Sequence, residues 1–140
     1  MTFVLDASAA LSWCFADEAS EATLRIRERL ATERAIVPSL WVYEVANALS
    51  TAARRGRMSH ETAMDMARLL MSLPIDTVEP AREPTELMQL AADHGLTVYD
   101  AAYLQMAIGS NLPLATLDDR LGMAARSVGL RLLVDAEDAR

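Results

Sequence analysis

Short apolar runs alternate with longer helix-like stretches along the whole chain. Five of these runs have the length and composition of buried strands, and they cover residues 2–5, 35–37, 75–78, 112–115 and 131–134. They are mostly apolar rather than alternately apolar and polar, which is typical of parallel strands covered on both faces. Because helices separate them, the pattern predicts an α/β fold with a mainly parallel sheet of four to five strands.

Capping and breaking residues delimit the helices between these strands. Ser39 and Ser59 stand where a side chain can cap a helix N-terminus. Gly56 and Gly95 stand where glycine commonly ends a helix. The predicted helices cover residues 7–15, 18–33, 40–55, 60–73 and 85–94, and two more begin at Asp100 and Asp118.

Length and composition predict a single domain over residues 1–140. The chain is 52% hydrophobic, which is enough for one sizeable core, and it is too short for two ordinary domains. It begins without a basic signal region, and no apolar run approaches the ~20 residues of a membrane span. We therefore expect a soluble cytoplasmic protein. The one cysteine, Cys14, excludes an internal disulfide and is better explained as a small core residue than as a catalytic thiol.

The basic residues narrow the range of possible chemistry. All 13 are arginines, so Walker-type phosphate loops and Schiff-base enzymes lack the lysine they require. The formal net charge of −7 also weakens any general affinity for nucleic acid. Any nucleic-acid site must therefore depend on local charge.

Four carboxylates occupy positions where an acid needs a specific reason. Asp6 ends the first apolar run, Glu44 lies inside an apolar helix, and Asp100 and Asp118 open later helices. In parallel α/β folds ligands bind beyond the carboxyl ends of the strands, where Asp6, Asp100 and Asp118 would share one rim. Acids brought together raise one another's pKa, and a hard divalent cation relieves the repulsion. The pattern indicates a magnesium-type site.

Each acid also has a simpler explanation. Taken singly, Asp6, Asp100 and Asp118 are better explained as helix N-caps. Glu44 is harder to explain in that way, because an isolated buried carboxylate costs several kcal/mol. It must therefore be protonated, paired with an arginine, or ligated, with Asn47 on the same helical face to orient it.

At this point the chain resembles a known family, the PIN-domain ribonucleases, and more narrowly the VapC-type toxins of bacterial toxin–antitoxin pairs. The similarity runs over nearly the whole chain, in four motifs whose order and spacing make it specific. The motifs are Val4-Leu5-Asp6-Ala7-Ser8, Pro38-Ser39-Leu40-Trp41-Val42-Tyr43-Glu44-Val45-Ala46-Asn47, Tyr99-Asp100-Ala101-Ala102-Tyr103 and Ala115-Thr116-Leu117-Asp118.

The resemblance implies a three-layer α/β/α fold and a metal-dependent endoribonuclease that hydrolyses RNA through a metal-activated water. On matching positions, Asp6, Glu44 and Asp100 become metal ligands, and Asp118 becomes the fourth catalytic acid. Asp119 competes with Asp118 for that role. The metal is expected to be Mg²⁺, with Mn²⁺ as an alternative because both accept hard oxygen ligands.

Further residues gain supporting roles from the same resemblance. Ser8 and Thr116 match hydroxyl positions that support the first and fourth acids, and Asn47 matches a polar position after the glutamate. His60 and His94 lie beside helix ends and are expected to be surface residues, not acid–base catalysts. No histidine is required for a metal-activated water.

Partners are less clearly encoded. A basic cluster of Arg54, Arg55 and Arg57 ends the helix of Glu44 and suits RNA phosphate or an acidic partner, although the helix dipole explains it equally well. The resemblance implies a cognate antitoxin that covers the acids, and a homodimer. Apolar side chains in excess of core needs are compatible with such partners, but core packing explains most of them. They are Trp13, Phe15, Trp41, Met58, Met64, Met66 and Met71.

Other function classes fit less well. A haloacid-dehalogenase phosphatase needs a second aspartate two residues after the first, where this chain has Ser8, and it also needs a lysine. A receiver domain fails on the same missing lysine. The alternative that stays open is a catalytically weak PIN fold that binds RNA or protein without cutting.

Overall fold

The computed structural model describes residues 2–80 and 82–135. Its sheet contains four parallel strands, namely β1 (Thr2–Leu5), β2 (Arg34–Val37), β3 (Ile75–Thr77) and β4 (Leu114–Ala115), in the spatial order β3-β2-β1-β4. The helices of the described residues are α1 (Ala7–Leu11), α2 (Glu21–Arg29), α3 (Leu40–Arg54), α4 (His60–Ser72), α5 (Pro84–His94), α6 (Val98–Ser110) and α7 (Asp119–Ser127). The predicted α/β class and parallel sheet are confirmed.

The strand order explains how helices come to lie on both faces of the sheet. From β1 the chain moves outward to β2 and then β3, and it then crosses to the opposite edge at β4. Right-handed crossovers in opposite directions place their helices on opposite faces. Accordingly α1 and α4 pack on α3, whereas α5 and α7 pack on α6, which itself covers β1. This gives three layers, with the sheet in the middle.

The core is centred on β1 and α6. Phe3, Val4 and Leu5 have no exposed surface, as expected for a central parallel strand with helices on both faces. In α6, Tyr103 and Leu104 are also fully buried. Among the described residues, no helix combines the length and apolar character that crossing a bilayer requires. The cytoplasmic location stays a prediction.

Several predicted boundaries differ in the structure. The helix predicted over residues 18–33 is only Glu21–Arg29, since Ser20 and Thr23 form a capping box at its start. The helix predicted over residues 7–15 ends at Leu11 and continues as turns. The fifth strand, predicted over residues 131–134, reduces to one parallel bridge between Leu114 and Leu132.

The start of α3 differs from the prediction in a more informative way. Ser39 has helical backbone angles and its side chain makes no capping hydrogen bond, so its predicted role as an N-cap is wrong. The backbone N–H of Ser39 instead donates to Glu79 Oε1 at 2.6 Å. An acid that follows β3 therefore satisfies the N-terminus of α3, where the helix dipole also favours negative charge. By contrast, Ser59 caps α4 as predicted, with its side chain accepting from the Thr62 N–H.

Candidate active site

The candidate site lies where the carboxyl ends of β1 and β4 meet. These two strands are neighbours, and the chain leaves them in opposite directions: from β1 toward β2, and from β4 toward the Leu132 bridge at the opposite edge. Such a reversal opens a crevice at the end of a parallel sheet, the usual ligand position in α/β folds. Asp6 follows β1, and residues 116–118 follow β4, so the topology brings the first and fourth motifs together.

Asp6 is a buried carboxylate held by two hydroxyl groups. Its side chain is only 4% exposed, and Ser8 Oγ and Thr116 Oγ1 each donate to Oδ2 at 2.6 Å. Burial raises the pKa of Asp6, the two hydrogen bonds act to lower it, and the charges of Asp100 and Asp118 raise it further. Although Asp6 precedes α1, its side chain makes no capping bond. The capping explanation is therefore wrong for this acid.

The two hydroxyls that hold Asp6 are themselves oriented by backbone groups of the β4 loop. Ser8 Oγ accepts from the Leu117 N–H at 2.9 Å, and Thr116 Oγ1 accepts from the Asp118 N–H at 3.0 Å. Because each hydroxyl accepts one of these bonds, its proton is directed toward Asp6 Oδ2. Both donors use the same carboxylate oxygen, so Oδ1 is the oxygen that this network leaves for a ligand.

Glu44 lies on the half-buried side of α3 and contacts α6. Tyr103 donates its phenolic hydroxyl to Glu44 Oε1 at 2.6 Å. Burial is the main cause of the raised pKa of Glu44, the bond from Tyr103 opposes it, and the charges of Asp6 and Asp100 add to it. The hydrogen-bond partner of this glutamate is thus a tyrosine hydroxyl rather than the arginine considered as an alternative. Sequence reasoning missed Tyr103, although it stands three residues after Asp100 and so on the same helical face.

Asp100 belongs to the body of α6 and is not its cap. Thr97 is the N-cap, and its hydroxyl accepts from the Asp100 N–H at 3.1 Å. Burial raises the pKa of Asp100, the charge of Asp118 raises it further, and the hydrogen bond with Thr97 lowers it. The carboxylate therefore needs another explanation than capping, and its electrostatic neighbours are the other acids of the site.

Asp118 combines capping with membership of the acid group. Its Oδ1 accepts from the Leu121 N–H at 2.9 Å, so it is the N-cap of α7. Its charge nevertheless acts on Asp6 and Asp100. Asp119 acts instead on Arg126, on the outer side of α7. The geometry favours Asp118 over Asp119 as the fourth acid.

The chemistry of this donor set fits a hard divalent cation. All four side chains offer carboxylate oxygens, and the pKa values of Asp6, Glu44 and Asp100 are raised by burial and by one another's charge. A bound cation would offset both effects. As the side chains stand, no three Asp, Glu, His or Cys residues in the described part of the chain are grouped closely enough to hold an ion. The metal and its ligands stay a prediction.

A groove runs from Ser8, which bonds Asp6, toward the end of α3. It has a volume of about 440 Å³, and Ser8, Leu117, Asn47 and Arg55 are among the residues that line it. Asn47 is exposed there, on the groove side of α3. The groove therefore connects Ser8, which bonds Asp6, with Arg55 of the predicted basic cluster.

The three arginines of that cluster have different surroundings. Arg57 pairs with Asp17 and lies over the Phe15 ring at 4.3 Å from its centre, so much of its role is local packing. Arg54 donates to Thr51 Oγ1. Arg55 and Arg57 both line the groove, but Arg57 is already engaged with Asp17 and Phe15, so Arg55 has the clearer position for a ligand contact.

Fold and site together define a parallel α/β protein with four carboxylates at the carboxyl end of its sheet. The chain belongs to the PIN domain family, whose profile matches residues 3–126. The resemblance drawn from the four motifs is thereby confirmed.

Two relatives carry nuclease names. Ribonuclease VapC3 of Pyrobaculum aerophilum is 34% identical over 123 residues, which cover 86% of this chain and 92% of that protein. Exonuclease VapC9 of the same organism is 34% identical over 98 residues, which cover 70% of this chain and 68% of that protein. Both are VapC proteins, as the narrower resemblance implied.

Solved structures agree on the fold. The crystal structure of PAE2754 from Pyrobaculum aerophilum matches with a TM-score of 0.71 and 28% identity, covering 95% of this chain and 84% of that one. VapBC2 from Rickettsia felis, bound to a DNA fragment from their promoter, matches with a TM-score of 0.66 and 15% identity, covering 94% of this chain and 97% of that one. At the latter identity the likeness concerns the fold alone.

Proposed function

We propose that this chain is a metal-dependent endoribonuclease and the VapC-type toxin of a toxin–antitoxin pair. The observation that carries the proposal is that four acids lie around the crevice where β1 and β4 end, close enough for their charges to raise the pKa of their neighbours. These acids are Asp6, Glu44, Asp100 and Asp118. Family membership and the nuclease names of two VapC relatives support the same reaction class.

The chain's own residues would hold Mg²⁺ or Mn²⁺ and orient the phosphate. Asp6 would offer Oδ1, because Ser8 and Thr116 occupy Oδ2. Glu44 would offer Oε2, because Tyr103 occupies Oε1. When bound, the cation would supply a water of lowered pKa and positive charge for the developing oxyanion.

The cleavage mode needs its own test, because one relative is named a ribonuclease and another an exonuclease. An endonuclease cuts a circular RNA, whereas an exonuclease requires an end. Hydrolysis by a metal-activated water should leave 3′-hydroxyl and 5′-phosphate ends. Cleavage that persists in excess EDTA would contradict the metal-dependent reaction.

The groove beside Asp6 is the proposed path for RNA, with Arg55 as a phosphate contact. We assign the same groove to the antitoxin, which would inhibit by covering the acids. A homodimer is also proposed, and exposed apolar side chains of α4, such as Met71 at 68% exposure, offer surface for one. Co-purification with the product of a neighbouring small open reading frame, and light scattering of the isolated chain, test these partners.

The competing function is a PIN fold that binds RNA or protein without cutting it. It predicts that Asp6→Ala and Asp100→Asn leave RNA binding and metal titrations unchanged. The nuclease proposal predicts that both substitutions abolish cleavage while the protein stays folded. Assaying the two variants beside the unmodified chain therefore separates the two functions.

A further inference from the structure

Tyr103 is a fully buried residue whose one polar atom points at the candidate site. Its side chain has no exposed surface, and its hydroxyl lies 2.6 Å from Glu44 Oε1. Glu44 itself is only half-buried and sits on a different helix, 59 positions away along the chain. The rigid partner in this pair is the tyrosine, because core packing fixes the position of its ring.

From this contact we infer that Tyr103 is a positioning residue: it fixes Glu44 through Oε1 and leaves Oε2 as the oxygen that binds the metal ion. The inference rests on the proposed metal-dependent function. Glutamate has three rotatable bonds before its carboxylate, and no arginine among the described residues hydrogen-bonds Glu44. A single short bond from a buried donor is therefore what selects one orientation.

The same hydroxyl also connects the glutamate to the segment of Asp6. Burial and the hydrogen bond with Glu44 raise the pKa of Tyr103, and the backbone N–H of Ala7, at the first position of α1, acts on the phenolic oxygen in the opposite direction. The first N–H groups of a helix lack partners within it, and Asp6 makes no side-chain cap there. Tyr103 thus lies between Glu44 of the second motif and the Asp6–Ala7 segment of the first, and its ring is anchored in α6 three residues after Asp100.

The direction of the Tyr103–Glu44 bond follows from the charge of the two groups. An ordinary phenol has a pKa of about 10 and an ordinary glutamate one of about 4.3, so at neutral pH Tyr103 carries the proton and donates it, and Glu44 accepts. Phenylalanine would keep the ring and its packing while removing only this donor. Tyr103→Phe is therefore a narrow test of positioning.

Direct metal binding gives a readout that does not depend on turnover. We would titrate the purified chain with Mn²⁺ and follow binding by calorimetry and by the electron paramagnetic resonance signal of free Mn²⁺. Loss of an outer hydrogen-bond partner of a metal ligand typically costs 10–100-fold in affinity. We expect Tyr103→Phe to weaken Mn²⁺ binding about tenfold or more.

Tyr43→Phe is the matched control. Tyr43 precedes Glu44 on the same helix, but its side chain is 76% exposed, so the change removes a hydroxyl that faces solvent. We expect its Mn²⁺ affinity to stay within about twofold of the unmodified chain. An equal loss in both variants would overturn the assignment to the Tyr103 hydroxyl.

A double-mutant cycle tests whether Tyr103 acts through Glu44. In a Glu44→Gln background the ligand charge is gone, and adding Tyr103→Phe should then reduce Mn²⁺ affinity by less than about threefold. Losses that simply multiply would overturn the inference, because they would mean that the hydroxyl acts independently of Glu44.

Three further outcomes distinguish failure of the inference from failure of the proposed function and from misfolding of the variant. If the unmodified chain binds no Mn²⁺, the metal-dependent function fails. If it binds Mn²⁺ and Tyr103→Phe binds equally well, only the positioning role fails. Should Tyr103→Phe not fold, a Mn²⁺-soaked crystal of the unmodified chain decides: Oε2 on the metal with Oε1 on Tyr103 supports the inference, and the reverse overturns it.

Discussion

Thr116 Oγ1 and Ser8 Oγ donate to the same oxygen of Asp6, although Thr116 follows β4 and Asp6 follows β1. The bond from Thr116 spans 110 positions of sequence and ties the carboxyl ends of two neighbouring parallel strands. Because Ser8 and Thr116 both bond Oδ2 of Asp6, Oδ1 is the oxygen left for a ligand. The consequences of this arrangement can be measured one residue at a time.

Thr116→Val should destabilise the fold in the absence of metal. Valine keeps the volume of threonine but removes a buried donor to a carboxylate and the acceptor of the Asp118 N–H. We expect the free energy of unfolding to fall by about 1–3 kcal/mol, measured by urea titration in EDTA. Thr77→Val, at an exposed position of β3, is the control and should change it by less than about 0.5 kcal/mol. Equal effects would contradict the buried network.

Acidification should stabilise the metal-free chain over part of the pH range. The pKa values of Asp6, Glu44 and Asp100 are raised above 3.8, 4.5 and 3.8. A group with a raised folded-state pKa stabilises the fold when protonated, and that contribution is lost as pH rises through the folded-state value. In EDTA the free energy of unfolding should therefore increase as pH falls through the raised folded-state values toward the ordinary values of 3.8 and 4.5.

The opposite sign applies to Asp76 and Glu79, whose pKa values are lowered. Arg34 lowers the first and the Ser39 backbone lowers the second, so their contributions are lost only as pH falls below the ordinary values of 3.8 and 4.5. Above that window the acids of the site should dominate. A free energy of unfolding that falls steadily from neutral pH downward would contradict the raised pKa values.

Asp100→Asn should stabilise the chain in EDTA near neutral pH and abolish its stabilisation by metal. Removing this charge relieves repulsion on Asp6 and Glu44, but it also removes a proposed ligand. For the unmodified chain, metal at a hundredfold excess over Kd should add about 2.7 kcal/mol to the free energy of unfolding. Asp93→Asn, at an exposed position of α5, should respond to metal like the unmodified chain. Thermal unfolding with and without Mn²⁺ measures all three.

The N-terminus of α3 gives a test that is independent of function. Glu79→Gln should lower the free energy of unfolding by about 0.5–1 kcal/mol, because a charged acceptor of the Ser39 N–H and its favourable interaction with the helix dipole are weakened. Ser39→Ala should change it less, since that hydroxyl makes no capping bond. If Ser39→Ala proved the more destabilising of the two, the cap would belong to Ser39 after all.

Substitutions of the arginines at the end of α3 should have different effects, one on RNA binding and another on stability. Arg55→Ala should weaken RNA binding and reduce the slope of log K against log salt by about one phosphate contact. Arg57→Ala should mainly lower stability, because it loses Phe15 and Asp17. Arg68→Ala, on the exposed side of α4, is the control for a general loss of positive charge. Identical RNA binding in all three variants would exclude the groove as the RNA path.

The apolar periodicity predicted the architecture, because each short segment shows in its own sequence which of its residues are buried. The apolar runs of β1 and β2 predict buried strands without reference to the rest of the chain. Likewise Gly56 and Gly95 predict helix ends, and both adopt the positive φ that ends a helix. Boundaries were less predictable where two signals compete. Thr97, rather than Asp100, caps α6, and in the sequence both residues stand where a helix N-cap could be.

The acids of the site could be predicted from the sequence, but the side chains that hydrogen-bond them could not all be. Glu44 stood out because a carboxylate among apolar residues needs a partner, yet that partner, Tyr103, is distant in sequence and looks like a core residue in its own helix. Glu79 was missed for the same reason, since its contact with Ser39 exists only once β3 lies beside β2. Contacts between distant segments leave no periodic signal.

We propose that the four acids, Asp6, Glu44, Asp100 and Asp118, form one metal-dependent site that cuts RNA internally. The most direct test is cleavage of a circular RNA by the purified chain with Mg²⁺ or Mn²⁺, beside the same reaction in EDTA and with Asp100→Asn and Asp93→Asn. We expect linear products with 5′-phosphate ends from the unmodified chain and from Asp93→Asn, and intact circles in EDTA and with Asp100→Asn. Intact circles in every reaction, or cleavage that survives both EDTA and Asp100→Asn, would contradict it.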